Sequence, residues 1–141
     1  MIRRVVLTVM VGGLLPLLAI QLLPFGRQHV NPAISAEPAW PAPAMRALAV
    51  GACYDCHSNQ TTWPWYSNVA PVSWIIQRHV EEGRAVVNFS EWDRPQEGMR
   101  EAAEVIEEGE MPPGYYRLLH QPARLSASEA AALARALGSL R

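Results

Sequence analysis

The sequence contains no lysine; all 12 basic residues are arginine. It has 2 cysteines, both within residues 53–57. Its 13 acidic residues all lie beyond residue 30, so the first stretch of the chain carries no negative charge. No segment after residue 26 alternates apolar and polar side chains as a half-buried strand does. Each shortage excludes something. Nucleic-acid binding leaves a basic patch or stripe, and none is visible. A zinc site built on two cysteine pairs is ruled out by the count, as is a framework of several disulfides. With no strand pattern, the expectation is an all-α protein.

One long apolar run is present. Val5 to Gly26 (VVLTVMVGGLLPLLAIQLLPFG) carries no charge, and as a helix it can span a hydrocarbon core of about 30 Å. Pro16 and Gln21 are tolerable in such a segment. Arg3 and Arg4 precede the run and Arg27 follows it. The positive-inside tendency places the N-terminus in the cytoplasm and the remainder outside. The competing reading is a cleaved signal peptide, but the run exceeds the usual h-region and the nearest small-x-small site ends at Ala36. The expected organisation is a membrane anchor over residues 1–27, a Pro-rich tether over 28–44 and a folded domain over 45–141. Pro32, Pro38, Pro41 and Pro43 forbid regular structure in the tether, unless Trp40 pins part of it to the domain. The exported part carries more Asp and Glu than Arg and is net negative.

The folded region is small enough to need a cofactor, metal or disulfide for support. Its patterns are helical. Met45 to Cys53 leads into the cysteines. Ser73 to Arg84 has Ser73 as N-cap and Gly83 as a stop. Arg94 to Glu108 places Met99, Ala102, Ala103 and Ile106 on one face, with Gly109 as the terminating residue. Ser126 and Glu129 form a capping box for a last helix with Ala130, Leu133, Ala134 and Leu137 on one face.

Cys53-Tyr54-Asp55-Cys56-His57 has the CxxCH spacing of c-type haem attachment. Two thiols at this separation reach the two vinyl groups on one porphyrin edge and form thioethers. The adjoining His57 then lies under the iron as proximal ligand. A redox dithiol would want a βαβ frame, which is missing, and zinc on Cys53, Cys56 and His57 would need a further ligand. A disulfide across so small a loop would contribute little.

The opposite side of the iron needs Met or His in an electron carrier. Met111, in GEMPPGYY, stands on a loop stiffened by Pro112 and Pro113 and is the expected distal ligand. Met99 reads as core, and Met45 is too close to the motif to cross to the other haem face. His79 and His120 are the remaining candidates. Arg78, Arg84 and Arg117 could pair with haem propionates, though surface solvation is the expected state of any one of them, and Asp55 reads as solvated. Trp63, Trp65, Tyr66, Trp74, Phe89 and Trp92 are expected to line core and haem pocket together.

The stretches ACYDCHSNQTTWPWYSNVAPVSWIIQRHVEEGR, NFSEW and GEMPPGYYRLLHQPARLS occur in this order. With NPAISAEPAW before them, they resemble the bacterial haem-binding-domain family, a branch of cytochrome-c-like proteins. The resemblance implies one covalent haem c on Cys53 and Cys56, His57 as proximal ligand and support for Met111 as distal ligand. The expected protein is a monohaem c-type cytochrome, single-pass in the bacterial inner membrane, its small cytochrome-c-like helical domain facing the periplasm. It would pass single electrons to a redox protein partner not identified by sequence. The alternative is a haem-based ligand sensor or peroxidase-like enzyme with an open or displaceable sixth site.

Overall fold

A computed structural model describes residues 1–140, without the side chains of residues 5–8. Among the described residues all regular structure is helical, and the one sheet-like contact is an isolated parallel bridge between Ala36 and Glu91. The helices are α1 (Ile2–Ile20), α2 (Pro43–Ala52), α3 (Tyr54–His57), α4 (Val72–Val86), α5 (Ala102–Glu107), α6 (Gly114–Leu119) and α7 (Ala127–Ser139). Short 3-10 turns cover Trp65–Asn68, Glu97–Arg100 and Gln121–Ala123. The chain forms two compact units: Met1–Val30 with Trp63–His79, and Asn31–Thr62 with Val80–Arg141.

In the first unit, α1 is long and apolar enough to cross a membrane. It stops at Ile20, short of the end of the apolar run, because the Gln21 side chain takes over. Gln21 Nε2 donates to the carbonyls of Leu17 (3.0 Å) and Ala70 (2.8 Å), and Gln21 Oε1 accepts from the Ala70 N–H at 2.9 Å. Gly26 has φ +74, and a Cβ there would lie 2.6 Å from the Ser73 carbonyl oxygen. His29 stacks on Trp63 with centroids 4.5 Å apart, and its Nε2 donates to the Ser67 carbonyl at 3.1 Å.

The second unit has its apolar core where α2, α3, α5 and α7 meet. Ala49, Tyr54, Val87, Phe89, Ile106, Leu133, Ala134 and Leu137 are buried together, with Trp40, Trp92 and Met99 packed around them. Met99 packs against the core as expected, though from a 3-10 turn and not from a helix face. Tyr54, Phe89 and Trp92 stack in sequence, at 5.4 Å and 5.8 Å between centroids. The Pro-rich stretch has no helix before Pro43, and Trp40 pins it against Phe89 at 5.4 Å. Ser35 N–H donates to the Ser90 carbonyl at 2.9 Å, and Arg46 makes a two-pronged ion pair with Glu37 at 2.8 and 2.7 Å. The Arg46 hydrogen bond is the main force holding the Glu37 carboxyl below its ordinary pKa.

Two helix ends differ from expectation. α4 begins at Val72, so Ser73 lies inside the first turn rather than capping it; its N–H bonds to Val69 while Trp74 N–H bonds to Pro71. α4 also continues through Gly83 to Val86, so Gly83 does not stop it. The expected helix from Arg94 is broken. Pro95 and Gln96 belong to a loop in which Gln96 Oε1 accepts from Asn88 N–H at 2.7 Å, and α5 begins only at Ala102. Gly109, with φ +76, follows α5 as a left-handed terminator.

The capping box on α7 is complete: Glu129 N–H donates to Ser126 Oγ at 3.3 Å and Ser126 N–H donates to Glu129 Oε2 at 2.7 Å. Ser126→Ala is expected to lower unfolding stability by about 1 kcal/mol, measured by chemical denaturation of the full chain.

Candidate functional site

α2 runs almost directly into α3, and Cys53 is the joint: its N–H donates to the Ala49 carbonyl at 2.8 Å, and its own carbonyl accepts from the N–H groups of Cys56 (3.1 Å) and His57 (2.9 Å). Both thiols are free. Burial pushes the Cys53 thiol up to about 12, with Cys56 adding to it. Burial, then the Asp55 carboxylate, pushes Cys56 up to about 11. A disulfide-exchange dithiol needs a thiol with lowered pKa, so these cysteines have the opposite character. Among the described residues no three His, Cys, Asp or Glu side chains converge on a metal-binding point.

His57 is fixed from several directions. Its Nδ1 lies 3.2 Å from the Val87 carbonyl; a carbonyl can only accept, so Nδ1 carries the hydrogen. Its backbone carbonyl accepts from Phe89 N–H at 2.8 Å. Burial holds the ring below the ordinary histidine pKa, partly opposed by the backbone carbonyls of Val87 and Gly83. The result is an imidazole of defined tautomer with its charged form disfavoured, as suits a metal-binding histidine.

Gly83 explains how α4 reaches this position. A Cβ at residue 83 would sit 2.5 Å from the Cys56 carbonyl oxygen and 3.2 Å from the Cys56 Cβ. Only glycine lets the α4 backbone press against the cysteine turn. The residues after α4, Val87 to Phe89, are thereby delivered to His57.

Asp55 is not simply solvated. Its Oδ2 accepts from the Tyr116 hydroxyl at 2.6 Å and its Oδ1 from Thr62 N–H at 2.8 Å. Tyr116 belongs to α6, which opens directly after Met111, Pro112 and Pro113. This bond ties the Met111 segment to the cysteine turn across the chain. Tyr115 feels the same neighbourhood: burial, then the Cys56 thiol, pushes its hydroxyl upward. Met111 itself is 41% exposed, with its N–H bonded to the Val105 carbonyl at 3.0 Å.

Arg84 is engaged by the unit's own backbone and side chains. It donates to the Ser58 carbonyl (2.8 Å), Thr61 Oγ1 (2.9 Å) and Asn31 Oδ1 (3.0 Å). His120 packs flat on Tyr116 at 3.8 Å, with its Nδ1 on the Tyr116 carbonyl at 3.0 Å. Of the aromatic residues near the motif, Phe89 and Trp92 stack in the core. Trp63, Trp65, Tyr66 and Trp74 belong to the first unit.

A buried polar network extends from the motif. Asn88 Nδ2 donates to Asn59 Oδ1 at 2.9 Å, Asn59 N–H donates to Ser90 Oγ at 3.0 Å, and Asn59 Nδ2 donates to the Ala33 carbonyl at 3.0 Å. The stretches SNQT and NFSEW are the two sides of this network. Sequence reasoning quoted them without finding their role; their signal was a pair of polar runs rich in Asn and Ser beside apolar cores.

The residues present fit a haem. Two free thiols stand on one helical turn, and an imidazole of fixed tautomer adjoins them.

Gly83→Ala is expected to destabilise the fold by about 1–3 kcal/mol through overpacking. Gly138→Ala, on α7 with nothing within 4 Å of the added Cβ, should stabilise it by up to about 1 kcal/mol. Paired denaturation curves check both. Tyr116→Phe is expected to leave global stability within about 1–2 kcal/mol of wild type while raising amide exchange across residues 111–119.

Comparison with curated proteins and with solved structures finds no match. A sequence match to the haem-binding domain family covers residues 15–138, nearly the whole chain, from within α1 to the end of α7. The match spans the cysteine turn, the Gly83 contact, the Asn–Ser network and the Met111 segment, and on that evidence the chain belongs to the haem-binding domain family.

Proposed function

We propose that this haem-binding protein is a membrane-anchored monohaem c-type cytochrome of the bacterial inner membrane, its haem domain on the periplasmic side. Cys53 and Cys56 would hold one haem c through thioethers, and His57 Nε2 and the Met111 sulfur would supply its iron ligands. The observation that carries this reading is the condition of His57. Its Nδ1–H is committed to the Val87 carbonyl at 3.2 Å, which leaves Nε2 as the coordinating atom beside two free thiols.

When bound, the haem supplies a one-electron Fe(III)/Fe(II) couple. The chain's own residues set its surroundings. The Val87 carbonyl orients the imidazole and increases its basicity, as a partner behind a ligating histidine does. A thioether at Met111 favours Fe(II) and raises the potential relative to a second histidine. The Asp55–Tyr116 bond holds the segment that bears Met111. The second unit contains all 13 acidic residues, so a redox partner with a positive face would be steered toward it. An uncleaved anchor is supported by Gln21, Gly26 and His29, whose contacts with Ala70, Ser73, Trp63 and Ser67 would be lost on cleavage at Ala36.

One observation favours a second reading, a ligand sensor or peroxidase-like enzyme: α6, directly after the Met111 segment, has no buried residue, so the segment bearing the thioether gains little from apolar burial.

The purified full chain is expected to give a c-type pyridine haemochrome whose haem resists acid–acetone extraction, and Cys53→Ala/Cys56→Ala is expected to lose that resistance. The ferric protein should show a Met-to-iron charge-transfer band that disappears in Met111→Ala. Extractable haem would refute the covalent assignment. Absence of the band in the wild type, with immediate CO binding after reduction, would favour the sensor reading.

A further inference from the structure

The first unit contains no Asp or Glu, and its charged residues are Arg3, Arg4, Arg27 and Arg78. It also exposes apolar side chains well beyond α1. Trp65 is 79% exposed, Val69 42%, Val72 40% and Ile75 52%. Val72 and Ile75 are spaced i, i+3 on α4 and share a face. From residue 63 to residue 77 the chain carries no charge. Contiguous exposed apolar surface of this kind marks an interaction site rather than ordinary protein surface.

The position of this segment within its unit identifies the occupant. Gln21, the residue after the last turn of α1, makes a two-way backbone clasp with Ala70 at 2.8 and 2.9 Å. Gly26 lies against Ser73 so closely that a Cβ would meet the Ser73 carbonyl at 2.6 Å. His29 stacks on Trp63. Residues 63–75 are therefore fixed at the end of α1, where a spanning helix leaves the hydrocarbon. Leu22, 85% exposed, and Phe25, 61% exposed, lie on the connecting chain. Tryptophan and tyrosine concentrate at that depth, their apolar rings facing acyl chains and their polar atoms facing headgroups.

We propose that Trp65, Val69, Val72 and Ile75, with Leu22 and Phe25, form a membrane-interface surface that rests on the outer leaflet beside α1. This rests on α1 being a retained membrane span. The absence of acidic residues suits a phospholipid headgroup layer. Arg27 and Arg78 supply cations to it. A protein partner would account for the exposed apolar groups but not for their attachment to the end of the spanning helix.

The test uses the full haem-loaded chain in phosphatidylcholine–phosphatidylglycerol vesicles containing a phospholipid with a diazirine near the glycerol end of one acyl chain. After photolysis, labelled peptides are mapped by mass spectrometry. The expected result is labelling of residues 63–77 at roughly threefold or more the level of α7, alongside labelling of α1. Trp65→Ser/Ile75→Ser should reduce the 63–77 label to the α7 level while α1 labelling and helical circular dichroism stay unchanged. Label on α1 with none above the α7 level on 63–77 overturns the interface surface and leaves the anchor intact, as does undiminished labelling in the double variant. Protection of 63–77 without lipid label would assign the surface to a protein partner. Absence of label on α1 overturns the anchor and the interface together.

Discussion

The rest of the second unit depends on the grip that α4 and the residues after it take on the cysteine turn. Gly83 presses against Cys56, Val87 holds the imidazole of His57, and Phe89 holds its backbone. Without a glycine at residue 83 the α4 backbone would stand off, and the carbonyl and amide that fix His57 would be out of reach. The core follows from the same register. Phe89 enters the stack of Tyr54 and Trp92, and Ser90 and Asn88 enter the polar network with Asn59. Apolar packing supplies the stabilising bulk of the unit. The hydrogen bonds select one arrangement, since each buried polar atom left unpaired would cost about 1–3 kcal/mol.

The cysteine turn and the histidine beside it share one electrostatic condition. Burial pushes both thiols upward in pKa and the histidine beside them downward. A neutral thiol is a poor nucleophile toward disulfides, and a neutral imidazole is a good ligand. Both properties come from one cause, removal from water by α4 and the core.

Local patterns in the sequence were readable and distant partnerships were not. The capping box at Ser126 and Glu129, the left-handed Gly109 and the absence of strands depend on neighbours a few residues away, so spacing revealed them. CxxCH is likewise contiguous. Gly83 looked like a helix stop because glycine ends helices more often than it permits helix contact; its reason lies at Cys56. Asp55 looked solvated because its partner, Tyr116, is far along the chain. Arg84 looked solvated, with a propionate as the other option, yet three acceptors from Asn31, Ser58 and Thr61 converge on it. Gln21 seemed a blemish in an apolar run and is the residue that joins α1 to Ala70. In each case the deciding contact spans more sequence than any periodicity can report.

The α6 segment shows how differently parts of one small unit can be secured. None of its residues is fully buried, and Tyr115, Leu118 and Leu119 are 58%, 73% and 70% exposed. Little apolar area is lost when such a segment opens, so its release is separable from melting of the α5–α7 core. Polar contacts do most of the holding: Tyr116 to Asp55, Arg124 to the carbonyls of Arg117 and Leu118, and Met111 N–H to Val105. A sulfur ligand mounted on such a segment would exchange on the timescale of local opening and not of global unfolding.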